Sequence, residues 1–71
     1  MHKYTIIIEK AGDNYSAYCP DLPGCIATGS TVEETTQRMK QTIEFHIEGL
    51  KREKMAIPKP STRATSIEVA A

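Results

Sequence analysis

Apolar and polar residues alternate over three short stretches in the first thirty positions, and a period of two is typical of β-strands. Residues 4–9 carry the first stretch, and residues 15–19 resume it after a Gly-Asp-Asn sequence at residues 12–14. These turn residue types tolerate positive φ, so the two strands are expected to form a hairpin. A third strand, antiparallel to the second, is predicted at residues 25–28, and Gly29 ends it.

The spacing of apolar residues lengthens after the third strand and predicts one long α-helix. Ser30 and Glu33 have the spacing of a capping box. Thr31 and Glu34 have the same spacing, so two overlapping registers could start the helix. One apolar stripe then includes Val32, Met39, Ile43, His46, Ile47 and Leu50. The helix is expected to span residues 32–53 and to pack this stripe on the sheet.

The prolines of residues 57–60 end the helix, because they favour an extended backbone. Residues 61–64 are predicted to be a flexible link. A fourth, C-terminal strand is predicted at residues 65–69, where Ile67 and Val69 share one face. The elements together predict an α+β fold, in which a three-stranded antiparallel sheet is followed by one long helix and a fourth strand.

A chain of 71 residues provides one domain with a modest core. So short a chain buries roughly 60% of the surface that its unfolded form exposes. Association would bury more, so a homo-oligomer, a dimer or larger, is the expected working form.

The charges are balanced, with nine Lys and Arg against nine Asp and Glu, and the two signs are interleaved. Since binding to nucleic acid requires a basic stripe or patch, we expect a protein partner and no direct DNA binding by this chain alone. No apolar run is long enough to span a bilayer, and the first residues lack the features of a signal peptide. A cytoplasmic protein without membrane contact is therefore expected.

Two cysteines, Cys19 and Cys25, flank a Pro-Asp-Leu-Pro-Gly turn. Without a secretion signal they are expected to be reduced and buried as small apolar side chains, although a disulfide across the turn is conceivable. Two thiols lack the third and fourth ligands that a zinc ion requires. The sequence therefore predicts no metal site and no cofactor.

Few side chains are arranged for catalysis. His46 lies at the edge of the apolar stripe, without a predicted nucleophile or fixed carboxylate beside it. Glu9, Asp13 and Asp21 could hold metal ions only if the fold gathered them, and their spacing gives no reason for that. Solvated carboxylates are the favoured interpretation, so we predict a non-enzymatic protein with no catalytic residue.

Five residues are candidates for an interface with a partner or with a second copy. The rigid turn presents Asp21, Leu22 and Pro23, and a rigid loop loses little entropy on docking. The favoured alternative is that the turn serves geometry alone and packs Leu22 into the core. Phe45 lies about 140° from the apolar stripe, which favours burial by a second chain, although single exposed apolar residues are common on protein surfaces. Tyr18, at the end of the second strand, completes the set.

A larger block of sequence contains these features. Residues 18–26 join Tyr-Cys, the Pro-Asp-Leu-Pro-Gly turn and Cys-Ile, and a Gly-Ser-Thr cap with an acidic pair follows. The block resembles the signature of the HicB-like antitoxins, and the Ile-Pro-Lys-Pro exit at residues 57–60 fits the same family. The resemblance covers about residues 3–60. It implies a single HicB-like N-terminal domain over residues 1–71, with a partial RNase H-like fold.

The resemblance also implies a function. Members of the family bind and silence a HicA-like toxin, a small RNA-targeting protein, and covering the toxin requires no catalytic residue. The expected function is therefore that of the antitoxin of a HicA/HicB-type pair. The alternative is an oligomeric regulatory or scaffold domain without a toxin, in which Phe45 and an exposed strand edge drive assembly.

The chain departs from the family pattern at three places. Alanine usually follows the acidic pair, where this chain has Thr35, and the helix usually ends on glycine, where this chain has Lys54 and Met55. A left-handed conformation at Lys54 or Met55 would cost about 1–2 kcal/mol. Many family members also carry a DNA-binding helix-turn-helix or ribbon-helix-helix segment after the domain, whereas two alanines follow Val69. Operator binding by this chain alone is therefore not expected.

Overall fold

A computed structural model describes residues 2–71 of the chain. Strand β1 spans Ile7–Ala11, β2 spans Asn14–Tyr18 and β3 spans Ile26–Gly29, and helix α1 spans Val32–Arg52. The strands form one antiparallel sheet in the order β1-β2-β3, and α1 packs over β2 and β3. The predicted α+β arrangement of three antiparallel strands and one helix is confirmed.

A two-residue turn joins β1 to β2. Ala11 lies opposite Asn14, and Gly12 and Asp13 form the loop between them. Gly12 has a φ of 63°, whereas Asp13 is not among the residues with positive φ. Glycine at the first central position is the requirement of a type II′ turn, whose twist matches that of the flanking strands.

Strand β1 begins three residues later than the sequence predicts. Its first residue, Ile7, pairs with Tyr18, the last residue of β2. In the same register Thr5 would lie opposite Pro20, which has no N–H to donate to a neighbouring strand. The proline that ends β2 therefore also delays the start of β1.

The core lies between α1 and the sheet, and residues of the β2–β3 connection contribute most of it. Its buried apolar residues are Ala17, Cys19, Leu22, Cys25 and Met39. Both cysteines are free thiols, and burial raises the pKa of the Cys25 thiol. Only part of the apolar stripe of α1 reaches this core, because a helix of 21 residues is about 31 Å long and overhangs a sheet of three strands.

The start of α1 follows the second of the two predicted capping registers. Thr31 is the N-cap, and its hydroxyl accepts a hydrogen bond from the Glu34 N–H at 3.0 Å. The Glu34 carboxylate accepts from the Ser30 N–H at 2.9 Å, and this bond is the main reason why the pKa of Glu34 is lowered. Buried Thr35 donates its hydroxyl to the Thr31 carbonyl at 2.7 Å, so threonine replaces the usual alanine without an unsatisfied hydroxyl.

The end of α1 is a Schellman motif without its usual glycine. Lys54 adopts a left-handed φ of 55°, and its N–H donates to the Lys51 carbonyl at 3.1 Å. The Met55 N–H donates to the Leu50 carbonyl at 2.9 Å. Both bonds belong to the motif, so the strain that the sequence assigns to Lys54 or Met55 falls on Lys54.

The fourth strand predicted at residues 65–69 is not formed. Residues 55–71 contain no helix or strand, and Ile67 and Val69 are exposed. A strand needs a neighbour for its N–H and C=O groups, and no hydrogen bond joins residues 63–71 to the rest of the described chain. A strand-like composition therefore does not by itself supply a pairing edge.

Replacing Lys54 by glycine is expected to raise the free energy of unfolding by about 1 kcal/mol, because glycine adopts the left-handed conformation without a clash at Cβ. Lys51→Gly is the matched control, since it introduces glycine at a position with ordinary helical φ and should lower stability by up to about 1 kcal/mol. Urea denaturation of both variants and the unaltered chain measures the two effects. Equal losses of stability in both variants would contradict the assigned strain.

Candidate protein-binding surface

The strand register aligns three apolar residues on one face of the sheet. Ile7 lies opposite Tyr18, and Tyr18 lies opposite Ile26. The neighbouring row, through Ala17, packs into the core below α1. Because successive side chains of a strand point to opposite faces, Ile7, Tyr18 and Ile26 face away from α1, and we call them the outer row.

The outer row is accessible to a partner. Tyr18 is 43% exposed and Ile26 is 69% exposed. Both side chains border a shallow hollow of about 440 Å³, and Ser16 and Thr28 add polar groups beside them. Exposed aromatic and aliphatic groups with a polar rim are typical of protein interfaces.

Phe45 lies on the other side of β3. It is 74% exposed on α1 and borders a second hollow, of about 560 Å³, with Ile26 and Arg38. Ile26 therefore borders both the hollow beside Tyr18 and the hollow beside Phe45, which lie on opposite faces of the sheet at the β3 edge. The structure places two predicted interface residues, Tyr18 and Phe45, on opposite sides of the same strand.

The turn between β2 and β3 is folded inward. Leu22 is fully buried, and its N–H donates to the Cys19 carbonyl at 3.1 Å, while its carbonyl accepts from the Cys25 N–H at 3.1 Å. Leu22 is thus a core residue that no partner can contact in this conformation, as the favoured alternative predicts. Pro23, beside it, is exposed and stays a predicted contact.

The Asp21 carboxylate is occupied within the chain. One oxygen accepts from the hydroxyls of Ser61 at 3.0 Å and Thr62 at 2.8 Å, and the other accepts from their two backbone N–H groups at 3.0 Å each. These bonds, led by the Thr62 N–H, lower the pKa of Asp21 to about 2. We call the arrangement the Asp21 clamp. The sequence assigns Asp21 to an interface and gives no signal of the clamp, because its partners lie 40 and 41 positions away.

Two more hydrogen bonds hold the same exit segment. The Tyr4 hydroxyl donates to the Pro58 carbonyl, and the Thr5 hydroxyl donates to the Thr62 carbonyl at 3.0 Å. Together with the Asp21 clamp, these bonds fasten residues 58–62 to the start of the chain and to the β2–β3 turn.

The three carboxylates considered as metal ligands are not gathered into a site. Asp21 belongs to the clamp, whereas Glu9 lies exposed in β1 and Asp13 lies exposed in the hairpin turn. Within residues 2–71, no group of three or more His, Cys, Asp and Glu side chains is placed to hold a metal ion. In the same residues no helix is long and apolar enough to cross a membrane.

Comparison with known families identifies the family of the chain. The family model described as the HicB_like antitoxin of bacterial toxin-antitoxin systems matches residues 4–70. The chain belongs to the HicB-like antitoxin family, and the resemblance carried by residues 18–26 is confirmed.

Similar proteins occur in a phage, a cyanobacterium and an archaeon. A 14.9 kDa protein of the rep-hol intergenic region of Haemophilus phage HP1 is 43% identical over 56 residues, which is 79% of this chain and 42% of the phage protein. A UPF0150 protein of Synechocystis is 42% identical over 83% of this chain and 76% of its own length. A UPF0150 protein of Thermoplasma acidophilum is 36% identical over 92% of this chain and 96% of its own length. The chain thus spans less than half of the phage relative and nearly all of the archaeal one.

Two solved structures share the fold. The N-terminal domain of the Burkholderia pseudomallei antitoxin HicB has a TM-score of 0.73 and 27% identity, over 80% of this chain and 69% of that one. A chain of the HicA3 and HicB3 toxin-antitoxin complex has a TM-score of 0.71 and 30% identity, over 84% of this chain and 70% of that one.

Replacing Asp21 by asparagine is expected to destabilise the chain in a pH-dependent way. The folded pKa of about 2 lies below the ordinary value of 3.8, so the ionised clamp stabilises the folded state above pH 3.8, and this contribution is lost as the pH falls through about 2. The stability difference between the unaltered chain and Asp21→Asn should therefore be largest near neutral pH and shrink in acid.

Asp13→Asn is the control for the Asp21 prediction, because it removes the same charge from an exposed turn. Urea denaturation of the three chains between pH 6.5 and the acid limit measures the differences. An Asp21→Asn deficit that stays constant with pH, or that Asp13→Asn reproduces, would contradict the role of the clamp.

Proposed function

We propose that this chain is the antitoxin of a HicA/HicB-type pair and that it neutralises a small RNA-targeting toxin by binding to it. The observation that supports this most directly is the likeness to a chain of the HicA3 and HicB3 complex, at 30% identity over 84% of the present chain. The family match over residues 4–70 favours the same conclusion over a scaffold domain without a toxin.

The mechanism would be steric. Covering the RNA-binding surface of a toxin requires area and shape complementarity rather than a reacting group. The outer row offers such a surface, because Tyr18 and Ile26 are exposed on a rigid sheet whose backbone is already ordered before binding. We assign the toxin contact to the outer row and to the exposed Pro23.

The proposal includes a partial RNase H-like arrangement of the assembled domain. It requires residues 65–69 as a fourth strand, and Ile67 and Val69 have the alternating composition for one. These residues would gain a pairing edge when an assembled complex supplies it, since a strand becomes stable only beside a neighbour.

Co-expression tests the proposal. The chain is produced together with a HicA-like toxin encoded beside its gene, and we expect growth to be restored and the two proteins to purify together. Continued toxicity, with the chain present at a normal level and no toxin purified with it, would refute the antitoxin function.

The contact surface is tested by truncating one aromatic side chain. Tyr18→Ala is expected to weaken toxin binding about tenfold or more, because central tyrosines commonly contribute above 1 kcal/mol at interfaces. Val32→Ala is the matched control, since Val32 is 42% exposed, close to the 43% of Tyr18, but lies on the first turn of α1 away from the outer row. Calorimetric titration of purified toxin measures both. Equal affinities would place the toxin elsewhere.

A further inference from the structure

Strand β3 is an edge strand, and two hydrogen bonds show which of its backbone groups face outward. The Cys19 N–H donates to the Cys25 carbonyl at 3.2 Å, so Cys25 faces β2. Residues of an antiparallel strand turn their backbone groups alternately to one side and the other. Ala27 therefore faces β2 as well, and Ile26 and Thr28 face outward. Arg38, whose guanidinium donates to the Thr28 carbonyl at 2.9 Å, approaches from that outward side.

The outward groups of β3 are complementary to those of a second β3. If two β3 strands run antiparallel about a two-fold axis at Ala27, Ile26 of each copy lies opposite Thr28 of the other. Each such pair exchanges two N–H···O bonds, so symmetry gives four bonds and leaves no outward group of Ile26 or Thr28 unpaired. A second copy matches this short edge by symmetry and also brings a second exposed Phe45 to the same edge.

The side chains beside this edge also fit a second copy. Ala27, at the axis, is small and lies on the face below α1. Phe45 is 74% exposed and borders the 560 Å³ hollow beside β3, so the two-fold axis brings the two hollows and their phenyl rings together. Arg38 must leave the Thr28 carbonyl, and it has the Glu34 carboxylate at 3.6 Å as a remaining partner.

We propose that two copies of this chain pair through β3, with the two-fold axis at Ala27, into one continuous six-stranded antiparallel sheet. The two α1 helices then lie on one face of this sheet, and the two outer rows lie on the other. Association would bury apolar surface that so small a domain leaves exposed. This pairing involves the chain alone and does not depend on the proposed toxin.

Sedimentation velocity of the purified chain tests the pairing. We expect twice the chain mass of 7.9 kDa for the unaltered chain. Thr28→Pro removes an outward N–H and places a ring at the edge, where proline leaves the β2–β3 bonds intact, so the mass should fall to that of one chain. Phe45→Asp, which changes no strand residue, should also lower it.

Lys10→Pro is the matched control at the opposite edge. The backbone groups of Ala17 point toward β3, so those of its neighbour Ser16 point toward β1, where Ser16 pairs with Glu9. The backbone groups of Lys10, the next residue of β1, therefore point outward, as those of Thr28 do on β3. We expect Lys10→Pro to keep the doubled mass. An unaltered chain that sediments as a single chain, or a folded Thr28→Pro variant that keeps the doubled mass, would overturn the proposal.

A cysteine at the axis tests the register without weakening the edge. Ala27 would face its symmetry mate as a non-hydrogen-bonded pair, where Cα atoms lie about 4.5 Å apart, within the range of a disulfide. Oxidised glutathione should therefore link Ala27→Cys into a covalent dimer, in which two protein thiols are oxidised and glutathione is reduced. The unaltered chain, whose Cys19 and Cys25 are buried, should stay unlinked. Absence of the covalent dimer from folded Ala27→Cys would overturn the pairing at Ala27.

Discussion

The inward fold of the β2–β3 turn is the constraint on which the rest of the structure depends. Leu22 at its tip is fully buried, and Cys19 and Cys25 beside it are almost as inaccessible. A connection that would ordinarily lie on the surface thus supplies much of the core of a domain too small to build one from strands alone. Asp21, the residue before Leu22, binds residues 61–62, so the turn is connected both to the sheet and to the exit of the chain.

Local features of the fold could be predicted from the sequence because their causes lie within a few residues. The start of α1 at Val32 follows from its cap, and the hairpin follows from Gly12. The choice between two capping registers could not be made locally, since both use the same residue types. In the structure a Cβ on Gly29 would lie 2.6 Å from the Thr35 hydroxyl oxygen, so close packing of β3 against the first turn of α1 accompanies the register that forms.

Features that depend on residues far apart in the sequence could not be predicted correctly from the sequence. Nothing near Asp21 in the sequence indicates that its four hydrogen-bond donors follow some 40 positions later, so the sequence alone points to a partner for this carboxylate. Residues 65–69 have the composition of a strand, but composition records a preference and not the presence of an edge to pair with. The exposure of Phe45 was predictable because it requires only the angle between Phe45 and the apolar stripe. The burial of Leu22 and the exposure of Phe45 were therefore predictable from the sequence, whereas the internal partners of Asp21 were not.

The remaining exposed apolar groups follow from geometry. A single helix can cover only one face of a three-stranded sheet, and α1 lies over β2 and β3, so Tyr18 and Ile26 are left on the far face. An exposed apolar edge is also prone to unwanted pairing, and charged side chains commonly protect such edges. Arg38 protects the β3 edge in this way, because its guanidinium donates a hydrogen bond to the Thr28 carbonyl. This hydrogen bond is exposed to solvent, so it can readily be replaced by a hydrogen bond from a partner strand. The edge is covered in the single chain and can still open to a partner strand.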